Sequence, residues 1–286
     1  MDIGLMHVTP NSNADPAKVA KHAEELGFES YWVGDHTIVP VVSSIEYPGA
    51  KHGGQEPYYV SQLPDPFIAL ARAGATTTRI KLGTGICLVP ERNPILTAKQ
   101  IATLDDACGG RFLFGIGAGW NREESTILGG DFDHRWSQIK DYIAAMKVLW
   151  KDDISEYHGR FIDFPAVRCF PKPAHKPHPP VLIGSISSPY ALKRVAEWGD
   201  GWIPVIGSVD QFAQGVAQVR KMAKELGRDP NGFDFTVFAL EQQWRTKADL
   251  KALADAGANR VVLWILQPDL ASILKKLDEL ALTVLG

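Results

Sequence analysis

The feature that most constrains this chain is an alternation running from one end to the other. Short apolar runs at 3–8, 30–34, 80–89, 111–117, 180–184, 201–206, 235–240 and 260–265 are separated by amphipathic helical stretches. The runs are rich in Val, Ile, Phe and Trp, and read as strands buried on both faces, as parallel strands covered by helices are. Between 134 and 150, Trp136, Ile139, Ile143, Met146 and Trp150 recur at three- and four-residue steps and share one helical face. Leu270, Ile273, Leu274, Leu277 and Leu280 repeat the pattern near the C-terminus. Asn93-Pro94 marks a helix start, because a proline in the first turn forfeits no hydrogen bond.

Eight strands and about as many helices in 286 residues predict an α/β fold, a (β/α)8 TIM barrel forming one domain over 1–286. A doubly wound open sheet is the alternative. It would carry a glycine-rich dinucleotide fingerprint after its first strand, where residues 7–16 read HVTPNSNADP with no glycine. Two stretches exceed an ordinary connection. Residues 37–64, inserted after strand two, hold Pro40, Pro48, Pro57, Pro64, paired glycines and Tyr58-Tyr59. They leave the C-terminal end of a strand, where barrel sites are built, so a lid or binding loop is expected. Residues 153–179, inserted before strand five, should form a hairpin over 156–163 and then a proline-rich crossing that packs across the opposite end.

Composition narrows the function classes. A net charge of -3 without basic runs leaves no footprint for nucleic acid. No window approaches a membrane span, and the first residues lack the basic start and apolar stretch of a secretory signal. Cys87, Cys108 and Cys169 are too scattered for a disulfide framework or a zinc ribbon, so a reducing cytoplasm is expected.

Chemistry is sought at the C-terminal ends of the strands. Asp35-His36 follows strand two, and His36 can take or give a proton near neutral pH, or merely brace a loop. Strand three ends in Gly83-Thr84-Gly85-Ile86, glycines that mark a bulge, a close ligand approach or a tight corner. Strand four runs through Gly115, Gly117 and Gly119 to Trp120, which suits a flat ring with the indole as a wall, or equally a core tryptophan. After strand five, Gly184, Ser185, Ser187 and Ser188 precede Pro189, a helix start that can hold a phosphate or simply be capped. A Schiff-base enzyme lacks its lysine, since Lys81 lies at the wrong end of strand three. The eight histidines are scattered, so no metal is expected. Glu123 or Glu124 paired with Glu241 leaves a glycosidase-type hydrolase open, which needs carboxyls about 5 to 9 Å apart.

Taken together, several blocks resemble one family. These are Tyr31-Trp-Val-Gly-Asp-His36, Arg79-Ile-Lys-Leu-Gly-Thr-Gly85, Arg92-Asn-Pro94 with Ala98-Lys-Gln100, Gly109-Gly-Arg-Phe112 through Trp120, and Leu182-Ile-Gly184 with Gly199-Asp-Gly-Trp202. In this order they resemble the luciferase-like monooxygenase superfamily, and most closely its branch of oxidoreductases using the deazaflavin coenzyme F420. The resemblance implies a (β/α)8 barrel, commonly a homodimer, with F420 or alternatively FMN in the mouth. It implies a non-proline cis peptide at Gly85-Ile86 behind the ring and the cofactor phosphate at 184–188. Its cofactor-binding residues map to Asp35, Thr84, Gly85, Ile86, Gly119, Trp120, Gly184, Ser185, Ser187 and Ser188. His36 maps to the residue that aids hydride transfer. The sequence departs from the branch's sugar-phosphate dehydrogenases in carrying Trp120 where they carry a catalytic glutamate, which speaks against glucose-6-phosphate. With Trp120, Tyr58 and Tyr59 as substrate-binding residues, an apolar or aromatic small molecule is expected. A carrier that binds the cofactor without turnover is the reading from outside enzymology.

Overall fold

The computed structural model describes residues 1–8, 11, 13–44, 57–240 and 243–286, and the side chain of Tyr58 is not among what it describes. The alternation becomes β1 (Asp2–His7), α1 (Pro16–Leu26), β2 (Ser30–Val33), α2 (Pro66–Gly74), β3 (Lys81–Thr84), β4 (Cys87–Leu88), α3 (Pro94–Ala107), β5 (Phe112–Gly117), α4 (Arg122–Ile127) and α5 (Arg135–Lys151). It continues as β6 (Ser155–His158), β7 (Asp163–Val167), β8 (Val181–Ile186), α6 (Pro189–Trp198), β9 (Gly201–Val205), α7 (Val209–Glu225), β10 (Asp234–Ala239), α8 (Lys247–Asp255), β11 (Arg260–Ile265) and α9 (Leu270–Val284).

All pairings in the main sheet are parallel. β1 joins β11, and β3 joins β5 through Leu82–Phe112 and Gly83–Leu113, so the sheet closes into an eight-stranded barrel wrapped by helices. The expected strand three is interrupted. β3 pairs with β2 as far as Thr84, the Gly85-Ile86 peptide is cis as the resemblance implied, and β4 then continues against β5 alone.

The helices bury the stripes their spacing announces. In α5 the side chains of Ile139, Ile143, Met146 and Trp150 are buried, and Trp136 at the stripe's edge is half-buried beneath the Arg194 guanidinium. In α9, Ile273, Leu277 and Leu280 are buried. Asn93 caps α3 by accepting from the N–H groups of Ile95 and Leu96, with Pro94 in the first turn.

Inside the barrel, on the other face of the same strands, Met6, Trp32, Leu182, Ile203 and Val262 form a separate cluster. A β-carbon on Gly83 would fall within the Trp32 ring, so glycine there is the space the indole fills. Below it, Arg260 is 2% exposed and plugs the N-terminal end. Its guanidinium donates to Glu29, Asp234 and Thr236 at 2.7 to 3.1 Å. Lys81 pairs with Glu29 at the same end. β6 and β7 form the expected hairpin. The crossing that follows packs at this end too, with the His175 N–H donating to Asp105 and the Lys172 ammonium donating to the Leu149 and Asp152 carbonyls. The opposite, C-terminal end is left for chemistry.

Candidate active site at the C-terminal mouth

The wall of the mouth is apolar. Tyr59, Ile86, Phe238, Trp264 and Leu266 are partly buried and pack onto the inner cluster. Ile186, Val205 and Leu240, at the ends of β8, β9 and β10, are 63%, 68% and 48% exposed, far more than apolar strand ends need to be. The Ile86 side chain explains two of the glycines. A β-carbon on Gly117 would collide with it, and one on Gly184 would come within 2.8 Å of its Cδ1. These glycines therefore make room for Ile86.

His36 follows the end of β2 and has 12% of its side chain exposed. Its Nδ1 stands 2.7 Å from Oε2 of Glu124, and the Trp120 indole N–H points to its Nε2 at 3.4 Å. The two rings meet edge to face with centroids 5.9 Å apart. A carboxylate accepts only, so the neutral imidazole carries its proton on Nδ1 and keeps a lone pair on Nε2. Glu124 is 1% exposed and lies in the first turn of α4, whose cap is Asn121 accepting from the Glu124 N–H. The sequence offered Glu124 only as half of a glycosidase pair. Its 1% exposure and its bond to His36 give it a supporting position instead. Glu241, the proposed partner, lies outside the described residues. The signal for Glu124's place was Asn121 three residues before it, a helix-start spacing that turns the carboxylate back under the strand ends.

Asp35 faces inward and is 4% exposed. It takes a bidentate pair from Arg92 at 2.7 and 2.9 Å and a bond from the Leu88 N–H, and Arg92 also reaches Asp65, the cap of α2. Asp35 thus ties β2, β4 and α2 together beside His36. Thr84 is fully buried and donates to the Gly115 carbonyl. Trp120 and Gly119 are half-exposed, with Gly119 at φ +74°, a conformation that glycine adopts without strain. Ser185 accepts from the Trp202 indole and Ser188 caps α6, while Ser187 stands between them, partly exposed. Glu123 anchors the first part of the long loop, accepting from the Ser44 N–H at 3.1 Å and the Ser43 hydroxyl at 3.4 Å.

One more acid was missed by sequence reasoning. Glu91 is 5% exposed, and neither of its oxygens meets a donor among the described residues. Burial and the nearby carboxylates of Glu124 and Asp35 push its carboxyl up to about 9, outweighing Arg92. Among the described residues, no group of three His, Cys, Asp or Glu is arranged to hold a metal ion.

The profile of the family described as luciferase-like monooxygenase matches residues 1–266. This chain belongs to that family. Its members are oxidoreductases acting on small molecules, and no described helix here is long and apolar enough to cross a membrane. Among its relatives, the uncharacterised protein Rv0953c of Mycobacterium tuberculosis is 35% identical over 210 residues, covering 73% of this chain and 74% of that one. The same fold is seen in the monooxygenase RslO1 from Streptomyces bottropensis, with a TM-score of 0.78 and 20% identity over 100% of this chain and 99% of that one. An F420-dependent secondary alcohol dehydrogenase, solved with an F420–acetone adduct, aligns with a TM-score of 0.76 and 17% identity over 98% and 97% of the two chains. The oxygenating constituent of 3,6-diketocamphane monooxygenase of Pseudomonas putida, solved with FMN, aligns with a TM-score of 0.65 and 18% identity over 90% of this chain and 71% of that one. Solved structures of this fold thus include one with an F420 adduct and one with FMN.

Proposed function

We propose that the chain is an oxidoreductase that holds coenzyme F420 in the mouth and exchanges a hydride with an apolar or aromatic substrate, His36 moving the accompanying proton. The observation that carries this reading is an imidazole pinned at Nδ1 by Glu124, with Nε2 turned toward Trp120 among apolar side chains. A bound deazaflavin would supply the hydride-carrying carbon. Ile86, at the cis peptide, offers its flat side, and Gly119 and Trp120 flank the ring from the β5 exit. Gly184, Ser185, Ser187 and Ser188 offer the phosphate a helix start, where unpaired N–H groups and the helix dipole favour an anion. Asp35 acts through Arg92 and Leu88 on the shape of that wall, and the Thr84–Gly115 bond holds Gly85 in line. Tyr58 and Tyr59, with Trp120, would contact the substrate.

The protein's share of catalysis is then positioning and dryness. Two carbons held in contact remove an entropic part of the barrier, and an apolar mouth keeps water from the transferred hydride. Neutral His36 accepts a proton at Nε2 as an alcohol is oxidised. The imidazolium, stabilised by Glu124, returns one as a carbonyl is reduced. The same proposal has the protein work as one barrel domain, as a homodimer, in the cytoplasm.

Titration of the purified protein with F420 and with FMN, followed by cofactor fluorescence, tests this directly. Binding of F420 at micromolar affinity or better, with FMN weaker, is the expected result. A preference for FMN would replace it with an oxygen-using monooxygenase. Binding of neither would sink the reading. Tight binding without turnover, and unchanged by His36→Ala, would favour a carrier.

A further inference from the structure

Three carboxyl groups converge behind His36, and the positive charge available to them is already spent. Asp35 faces Arg92, and Arg92 divides its remaining bond with Asp65. Glu124 gives one oxygen to His36, while its other oxygen, Oε1, is buried without a donor. Glu91 lies in the turn at Val89–Glu91 that packs against α4, and neither of its oxygens has a donor among the described residues. The loop above leaves it no freedom, since a β-carbon on Gly119 would approach Glu91 Oε1 to 2.6 Å. Asn121 Nδ2 and Ser125 Oγ, on either side of Glu124, are also buried without a partner, so the space beneath α4 is polar but closed.

Two ionised carboxylates buried side by side there would be an uncompensated charge away from water, which is strongly unfavourable. One proton between them removes that cost and supplies the missing donor. We propose that Glu91 and Glu124 share one proton and act together as a positioning pair, presenting a single negative charge to His36. This rests on the reading of His36 as the proton-transferring group. The groups facing the pair are His36, Asp35 and Arg92, with the half-exposed Asp65 beyond Arg92. The shared proton fixes the Glu124 carboxylate, which fixes the imidazole tautomer with its lone pair toward the mouth. If Glu91 ionised, His36 would face a second negative charge and hold its proton too tightly to give it up. Glu91 therefore sets the alkaline limit of the proton transfer without touching substrate.

Glu91→Gln keeps a donor toward Glu124 in nearly the same volume, and Glu91→Leu removes it. In the ligand-free protein at neutral pH, infrared difference spectra should contain the band of a protonated carboxyl that Glu91→Gln abolishes. The His36 Nδ1–H, followed by NMR, should keep its parent resonance in Glu91→Gln, because one neutral donor replaces another, and should move in Glu91→Leu. In turnover, Glu91→Gln should lose the alkaline limb of the kcat profile, and Glu91→Leu should lower kcat roughly tenfold or more at unchanged KM, a part of what acid–base assistance is worth. A missing carboxyl band, with the His36 Nδ1–H resonance displaced in Glu91→Gln, would mean that Glu91 is ionised and would overturn the proposal. Equal behaviour of the Leu and Gln variants in both the His36 Nδ1–H resonance and kcat would overturn it as well. The first two readouts need no cofactor, so they stand whichever way the cofactor titration falls.

Discussion

The side chain of Ile86 lies where a β-carbon on Gly117 would have to be. Strand β5 is thus without a side chain where Ile86, the residue just before β4, turns its own across the mouth. Gly117→Ala should displace Ile86 and cost about 1 to 3 kcal/mol of stability, the usual penalty for overpacking. Cofactor affinity should fall with it, since the displaced isoleucine is the wall. Denaturant unfolding and cofactor titration of the same variant measure both. Unchanged affinity beside lost stability would remove Ile86 from the ligand's surface.

The His36–Glu124 bond predicts a split between two variants. His36→Ala should leave cofactor binding intact and reduce turnover by a factor of roughly 10² to 10⁴, the range of general acid–base assistance. Glu124→Gln should retain the imidazole and its Nδ1–H bond but leave the imidazolium facing a neutral partner, so turnover should fall, though less than in His36→Ala. Steady-state turnover of both variants checks the order, and full activity in Glu124→Gln would contradict the assigned role of the bond.

A second histidine should be visible in acid stability. His7 is fully buried beside the Tyr31 hydroxyl at 2.7 Å, and burial lowers its pKa to about 3. The unfolded chain takes up this proton near pH 6.5 and the folded protein does not. Its contribution is therefore present above about pH 6.5 and is lost as pH falls toward 3, at up to about 1.4 kcal/mol per pH unit. Chemical denaturation across that window, compared between the parent and His7→Phe, should find a shallower slope in the variant.

The plug at the other end of the barrel predicts stability without function. Arg260→Ala leaves Glu29 and Asp234 facing each other with Lys81 alone to balance them, and should cost about 3 to 5 kcal/mol. KM should be unchanged in whatever fraction remains folded. Glu29, held by Arg260 down to about 2, adds stability above its unfolded value near pH 4.5 that disappears as pH falls toward 2. The parent should therefore lose stability over that interval more steeply than the variant.

The barrel was legible because its strands and helices write different periods into the chain, and Ile139, Ile143 and Met146 face inward as their spacing says. Asp35-His36 was legible because a polar pair ends an apolar run. What could not be read were contacts between residues far apart in sequence. Nothing local tells that Asp35 would be consumed by Arg92, or that Gly117 serves Ile86 as well as any ligand. Glu91 illustrates the limit: in sequence it is a carboxylate in a proline turn, and only the fold sets it against Glu124 away from water.

Helix α4 carries two adjacent carboxylates with different duties. Glu123 grips Ser43 and Ser44 of the loop over the mouth, and Glu124 grips His36. Six residues long, the helix has little room to move one without the other. Enlarging the substrate range by remodelling residues 37–44 would therefore also retune the imidazole, so α4 belongs in the same library as the loop.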